Sequence, residues 1–522
     1  MKKIVIVVVV LAAVCLLAPF GIGKLAEKRL NSSLDKLIEN APYFKIAERK
    51  WTGGWFKSEQ VVTFEISDAW ANVMNDKVIK GIFKGESEQA DAAMDAEGTE
   101  SDPMAQSDEE AAPAAEAPEA APGEAPAEEA ASSDAPAAVP PVRFSIRNEV
   151  LHGPVLGLSG IGLARVDTHL DLSEETRKKI AEVFGDKPAM QVRTRVGFFG
   201  GGTTTFTSEG RKINTKDEDV DASYETFKLA VGMGRNGNSY DVDGKLPSLI
   251  VKDKDGGGFT LTDLTMDGDG KRVIGDLYDG EFAFKVKELK IQAKNDPETT
   301  LIQDAHYIVD TRTKDDFVKV STKMGTGAVK GGSIAKAGVE IKEIHYDLSF
   351  GHLHAPTLEK MVQAMRNMYT TPMVDPSALE ATIYAPLKEH AAELLKHDPE
   401  LGIDRIGLVT PDGEIVAKGL IKLVGATPED FAAPGGMALI GKMEADFTVT
   451  ADVAAVEKLP NGATAAGAAV DSGYAKKEDG KLICRIVFKK GELTVNGKPQ
   501  AIPGLGGPPP PPMEDSGEVP QE

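Results

Sequence analysis

Five groups of residues have types and spacings that could do chemistry. Gly232-Met233-Gly234-Arg235-Asn236-Gly237 fits the glycine fingerprint of a dinucleotide site letter by letter. That chemistry needs a helix N-terminus straight after the glycines, so that amides and dipole face a pyrophosphate. The next residues, Asn238-Ser239-Tyr240-Asp241-Val242-Asp243-Gly244, read instead as a strand and a turn, which makes the motif a glycine-rich hairpin. Asp241-x-Asp243-Gly, Asp253-x-Asp255-Gly and Asp267-x-Asp269-Gly resemble fragments of calcium loops. A full loop needs further oxygen ligands and a closing Glu, and Lys271 and Arg272 after the last fragment repel a cation, so turn chemistry explains all three. His390, Glu393 and His397 sit at i, i+3 and i+7, one face of a helix, where two imidazoles and a carboxylate could hold zinc. Polar solvent-facing residues reach the same spacing by chance. His352 and His354 share a strand face with no carboxylate in evidence. Cys484 alternates with Leu482, Ile486 and Phe488, the apolar face of a strand, where a thiol is expected to be buried and inert. Gly-x-Ser-x-Gly, P-loop and Cys-x-x-Cys patterns do not occur. No catalytic, cofactor-binding or metal-ligating residue is assigned, and the chain is not read as an enzyme.

The elements that would position any site begin with an anchor. Met1-Lys2-Lys3 leads into an uncharged apolar run from Ile4 to Ile22. As a helix that run is roughly 28 Å long, about the hydrocarbon thickness of a bilayer. A cleaved signal would need a small-x-small site after a shorter core, and Gly21-Ile22-Gly23 is a weak one. A lipoprotein signal would place Cys15 after a small residue, whereas Val14 is β-branched. An uncleaved anchor fits best. Only Lys2, Lys3 and the free amine precede the span, so the N-terminus is expected inside and the bulk of the chain exported. Residues 24–40 read as a helical stalk, with Leu30, Leu34, Leu37 and Ile38 on one stripe.

The net charge of −22 is uneven along the chain. Between Lys84 and Arg143 there is no Lys or Arg, and sixteen acidic residues lie there; taking them away leaves −6 for the rest. This stretch is Ala, Pro and Glu, as in Ala111-Ala112-Pro113-Ala114-Ala115-Glu116, and has almost nothing to bury. It is expected to be a disordered insert, as is the Pro-rich tail from Gly504. An acidic balance without a basic stripe argues against nucleic acid. Cys15 lies in the expected span and Cys484 is alone in the body, so no intrachain disulfide is expected.

The remainder reads as β meander. Asp-Gly or Asn-Gly pairs at Asp243, Asp255, Asp269, Asp279, Asp412, Asp479 and Asn496 are hairpin signals, because both residues tolerate the positive φ of a tight turn. The first four imply one strand per 10–14 residues. Alternating runs mark strands at Phe259 to Leu264 and Phe282 to Val286, with others at Arg193 to Thr207, Tyr224 to Val231, Phe317 to Thr322 and Val339 to Phe350. Helices are fewer. Ser173 can cap Glu174 to Phe184, Thr357 opens Leu358 to Met368, and Asp375-Pro376 opens a helix toward Lys396 bent at Pro386.

Several of these pieces together resemble the YdgA-like family of bacterial envelope proteins, a family of unknown function. They are the anchor and stalk, then Trp51-Thr52-Gly53-Gly54-Trp55-Phe56-Lys57-Ser58, where Gly54 and Phe56 match and Trp51 stands where Tyr is usual. His152-Gly153-Pro154 after a strand, Arg193-Thr194-Arg195-Val196-Gly197-Phe198, the two-helix segment after Ser349, and Gly491 to Lys498 complete the set. The insert departs from the pattern. The resemblance implies an inner-membrane anchor, a β-rich periplasmic body and self-association, and it carries over no catalytic residues; His152 is expected to serve a turn.

The expectation is therefore a mainly β protein: a transmembrane anchor at 1–23, a helical stalk at 24–40, an antiparallel β-meander body at 41–503 interrupted by the insert at 86–141, and a tail at 504–522. It is placed in the bacterial inner membrane as a single-pass protein, N-terminus cytoplasmic and body periplasmic, with a structural or assembly role and a homo-oligomeric state. A lipid or hydrophobic-ligand carrier with a β-sheet groove is the alternative, and an envelope hydrolase the second alternative. A continuous apolar sheet surface would favour the carrier, and converging perturbed titratable groups the hydrolase.

Overall fold

The computed structural model describes residues 22–35, 44–66, 143–157, 160–171, 188–214, 220–294, 298–332, 338–368, 385–432 and 437–501, with a few isolated positions between them. The core of the expected anchor, the insert at 86–141, the tail at 504–522, most of the helix expected after Ser173 and the start of the helix expected from Asp375 lie outside these residues. Among the described residues no helix is long and apolar enough to cross a membrane.

The alternating sequence folds as one antiparallel sheet. Its strands are β1 (Phe44–Thr52), β2 (Lys57–Ile66), β3 (Arg143–His152), β4 (Ala164–Asp171), β5 (Gln191–Val196), β6 (Gly202–Ser208), β7 (Arg211–Asn214), β8 (Val220–Tyr224), β9 (Phe227–Met233), β10 (Ser239–Asp253), β11 (Gly258–Ile274), β12 (Leu277–Gln292), β13 (Thr299–Lys314), β14 (Phe317–Thr326), β15 (Val329–Lys330), β16 (Glu343–His354), β17 (Glu400–Thr410), β18 (Gly413–Leu423), β19 (Met443–Asp452), β20 (Lys476–Glu478), β21 (Lys481–Lys489), β22 (Glu492–Val495) and β23 (Lys498–Gln500). Main strands pair with their sequence neighbours from β1 to β6, then through β9 to β14, β16 to β19, and β21 to β23. β8 and β9 lie end to end along β10. At about 4.8 Å per strand the sheet is on the order of 85 Å across.

Sequential hairpins give the sheet two ends. The turns at 53–56, 153–163 and 197–201, and further along those at 275–276 and 315–316, lie at one end, here called the near end. The turns at 254–257 and 411–412 lie at the far end. The chain leaves β2 at Ile66 and re-enters at Arg143, opposite Glu65, so the stretch with the acidic insert departs from the far end.

Four of the seven expected hairpin pairs are turns: Asp255-Gly256, Asp412-Gly413, Asp479-Gly480 and Asn496-Gly497. The last two have positive φ at both residues, as the pairing rule demands. Asp243-Gly244, Asp269-Gly270 and Asp279-Gly280 instead lie inside β10, β11 and β12, which run 15, 17 and 16 residues, well beyond the expected interval. Their glycines serve close approach. Gly270 pairs directly with Gly280, and a Cβ on Gly280 would overlap the Asp269 carbonyl. The strand expected over Arg193 to Thr207 is a hairpin of β5 and β6, and Tyr224 to Val231 spans the end of β8 and part of β9.

Residues 22–35 are helical (α1), but they do not stand clear as a stalk. Ala26 packs with Val150, Ala164 and Val166, and Leu30 joins them. Leu34 packs with Val62 and Phe64, with Ile38 alongside. Of the stripe read as a stalk face, Leu34 is buried and Leu30 and Ile38 are half-buried along β2, β3 and β4, while Leu37 lies outside the described residues. Beneath the helix runs a hydrogen-bonded polar row: Gln60 donates to Asn31, Asn148 to Gln60, and Thr168 to Asn148. Each side chain in that row finds a partner, which is what burial requires.

Further helices among the described residues are α2 (Ala355–Met368) and α3 (Ala385–Leu395), which pack together, and the short α4 (Pro428–Ala432), α5 (Met437–Ile440), α6 (Val453–Glu457) and α7 (Gly462–Asp471). α2 starts two residues before Thr357. Pro386 is the second residue of α3, a position where its missing N–H costs nothing; the stretch from Asp375, where the bent helix is expected to open, lies outside the described residues.

Candidate functional site

Residues paired directly across an antiparallel sheet share a face, so register carries a side-chain row from strand to strand. One such row reads Met266, Phe284, Tyr307, Met324, Tyr346, Ile406, Ala417, Val449 and Cys484, from β11 to β21. The adjacent row toward the near end carries Phe282, Val309, Leu348, Ile403, Phe447 and Ile486. The opposite face is polar, with Lys285, His306 and His345 around one level and Lys323, Asp347 and Arg405 around the next. An antiparallel sheet normally packs its apolar face and wets its polar one. Here Tyr307, Met324 and Tyr346, neighbours on three successive strands, are 43%, 47% and 43% exposed, and Phe350 is 44% exposed. α2 packs against β16 and β11. The middle of the apolar face stays open, and contiguous apolar exposure of this kind marks a binding surface.

The face is continuous with the one that α1 covers. The row Ser58, Val150, Val166, Thr194, Thr204, Val231, Val242 and Gly268 runs from β2 under α1 straight into the Phe282 row. The sheet therefore presents one apolar surface, closed by α1 at β2–β4 and open over its middle.

Two motifs far apart in sequence meet at the near end of β2 and β3. His152 Nδ1 lies 3.1 Å from the Trp55 carbonyl, which accepts its proton, and Ser58 Oγ donates to Nε2 at 2.9 Å. Gly54 N–H donates to the same Ser58 oxygen at 3.3 Å. A Ser–His pair with a fixed tautomer is the start of a nucleophilic device. Ser58 is 7% and His152 3% exposed, and Gly23 of α1 sits against the imidazole. The pair is sealed, and it ties the 53–56 loop to β3, together with the His152 N–H bond to the Phe56 carbonyl. His152 is expected to serve the Gly153-Pro154 turn beside it; the bonds it makes go instead to the 53–56 loop and Ser58.

The two histidine sets, separate in sequence, also come together. His354 at the end of β16 stacks on His397, beyond α3, and His352 stacks on Phe317 at 4.0 Å. His352 Nδ1 also bonds the His397 carbonyl. His397 lies past the last helical residue, so the i, i+3, i+7 face is broken before it closes. Glu393 is engaged by Lys396, which holds its carboxyl below the usual range. Among the described residues no three His, Cys, Asp or Glu side chains are placed to hold a metal.

The remaining motifs take places in the sheet and its turns. The glycine fingerprint is the β9–β10 hairpin, with a single 3-10 turn at Arg235–Gly237 and no α-helix after it. Asp253 ends β10 and Asp255 lies in the turn after it, while Asp241, Asp243, Asp267 and Asp269 face one another in β10 and β11. Cys484 is half-buried rather than buried, and burial pushes its thiol up. A cavity of about 570 Å³ includes Lys245, Asp263, Lys285 and His306, and a second of about 510 Å³ includes Glu149, Asp167 and Arg193; neither touches Ser58 or the His354 pair.

The fold and its open face define a class: a long meandering antiparallel sheet with one uncovered apolar surface. The chain belongs to the family described as bacterial protein of unknown function (DUF945), whose model matches residues 1–503. No curated protein and no solved structure matches the chain.

Proposed function

We propose that this chain is a membrane-anchored envelope protein that holds lipid acyl chains on the open apolar face of its sheet. The observation that carries the reading is the row from Met266 to Cys484, with Tyr307, Met324 and Tyr346 half-exposed at its centre. Nine strands at about 4.8 Å give that row a reach of roughly 38 Å, more than twice the ~15 Å of one bilayer leaflet. Each methylene seated there contributes about 0.8 kcal/mol, so a short stretch of acyl chain suffices for binding. The anchored topology is part of the proposal: residues 1–23 span the inner membrane, the N-terminus is cytoplasmic, the body is periplasmic, and the chain falls in the YdgA-like group.

The test compares full-length protein purified in detergent with the variants Met324→Glu and Tyr346→Glu. Lipid extraction and mass spectrometry should find several-fold less phospholipid on the variants, the anchor being common to all. Equal lipid on all three would overturn the reading.

A structural or assembly role through self-association is the second reading. It is favoured by the outer edge of β23, which pairs with no strand among the described residues. Unpaired edges find one another unless charges protect them. Cross-linking of the membrane form would trap a homo-oligomer if this reading holds, and only monomer if it does not.

A further inference from the structure

We infer that the near end of β1–β6 is a membrane-docking surface whose apolar loop tips enter the outer boundary of the bilayer beside the anchor. The inference rests on the anchored reading above.

Three hairpin tips meet there. The β1–β2 turn presents Trp55 and Phe56, the β3–β4 turn presents Val155 and Ile161, and the β5–β6 turn presents Phe198 and Phe199. All are exposed, with Ile161 at 73% and Phe199 at 86%. Val155 and Ile161 bridge each other directly across their turn. Leu25 of α1 adds a further exposed apolar side chain. The far ends of the same six strands offer only Leu170 and Met190 as exposed large apolar groups among the described residues, neither of them aromatic. Loop tips are usually polar, and exposing seven apolar side chains at one end would be costly in water without a partner.

The direction of α1 says what that partner is. Gly23 rests against His152 at the near end, Ala26 lies over Val150, and Leu34 lies over Val62 toward the far end. The helix therefore begins at the near end, the same end as the three tips, and the expected span joins it there.

The tips are also held rigidly. Ser58, His152 and the Trp55 and Phe56 carbonyls fasten the first turn to β3. Arg29 of α1 donates to the carbonyls of Gly197 and Phe198, fastening the third turn to the helix. Around them stand the exposed cations Lys24, Lys28, Lys57 and Arg195, against the acids Glu27, which pairs with Lys24, and Glu59. Aromatic tips ringed by cations suit the headgroup–acyl boundary of an anionic membrane. Docked this way, the strands stand away from the membrane, and the acidic insert leaves from the end remote from anionic headgroups.

The experiment uses the full chain in vesicles of phosphatidylethanolamine and phosphatidylglycerol, doped with a phospholipid carrying a diazirine on one acyl chain. After irradiation, peptides are mapped by mass spectrometry. Peptides holding Trp55–Phe56, Val155–Ile161 and Phe198–Phe199 should be labelled several-fold more than the far-end turns at 254–257 and 411–412. Phe199→Glu should reduce label on its own loop and on the neighbouring Ile161 peptide. Tip labelling no higher than far-end labelling overturns the inference. Label on the Tyr307–Met324 face is read separately: tip label without face label defeats the carrier reading alone, and face label without tip label defeats the docking surface alone.

Discussion

The imidazoles of His354 and His397 stack with centroids 3.9 Å apart and planes 17° from parallel. His354 also hydrogen-bonds the buried Thr357 hydroxyl through Nδ1, and burial first, then the charge of His397, holds its pKa below the ordinary imidazole value. Asp316 and Glu393 pull the other way, and Lys360 adds to the lowering. The unfolded chain takes up a proton near pH 6.5 while folded His354 still resists one, so the unfolded state binds more protons and stability falls as pH falls. The loss starts as pH drops through about 6.5 and ends once folded His354 is charged as well. Thermal unfolding of the wild type should therefore weaken more between about pH 7 and pH 5 than that of His354→Gln. Parallel profiles would mean that the stacked pair does not couple to folding.

α1 is part of the core and not a spacer. Leu34 is buried against Val62 and Phe64, and its truncation leaves a cavity under the helix. Leu34→Ala should cost about 2–5 kcal/mol in denaturant unfolding, the range of buried Leu truncations. A stalk standing in solvent would lose less than about 0.5 kcal/mol from the same change.

Much of this architecture is legible in the residues. The alternation of Phe282, Phe284 and Val286 marks a strand, and Asp479-Gly480 and Asn496-Gly497 mark turns, because those signals are local. Asp269-Gly270 and Asp279-Gly280 mislead because the same dipeptide that permits a tight turn also permits close strand approach; only the pairing of Gly270 with Gly280 decides between them. The open face is legible strand by strand, yet joining Tyr307 to Met324 and Tyr346 requires register, which alternation alone leaves open. His152 and Ser58 lie 94 positions apart, and His354 meets His397 across two helices. Contacts set by topology at that separation leave no local trace.

The two kinds of glycine predict different costs. A Cβ at Gly280 meets the Asp269 backbone, so Gly280→Ala forces two central strands apart and should destabilise by more than about 2 kcal/mol. Gly497 has φ +81 and open space around it, so Gly497→Ala pays only for its backbone conformation, about 1–2 kcal/mol. Equal costs in urea unfolding would remove the distinction between close approach and turn.

Cys484 ends the apolar row, paired with Val449 and half-buried, with its thiol pushed up by desolvation. The thiolate is the reactive species, so both the raised pKa and the partial cover slow alkylation. With iodoacetamide at mildly alkaline pH, the native protein should react on the order of tenfold more slowly than the denatured one. Cys15 reports separately, and peptide mapping keeps the two cysteines apart. The position also senses the proposed cargo. Acyl chains lying along the row would cover Cys484 further, so stripping lipid with detergent should speed its native alkylation while leaving the denatured rate unchanged. A native rate indifferent to lipid would mean that acyl chains do not reach this end of the row, confining the proposed binding to the strands around Tyr307 and Met324.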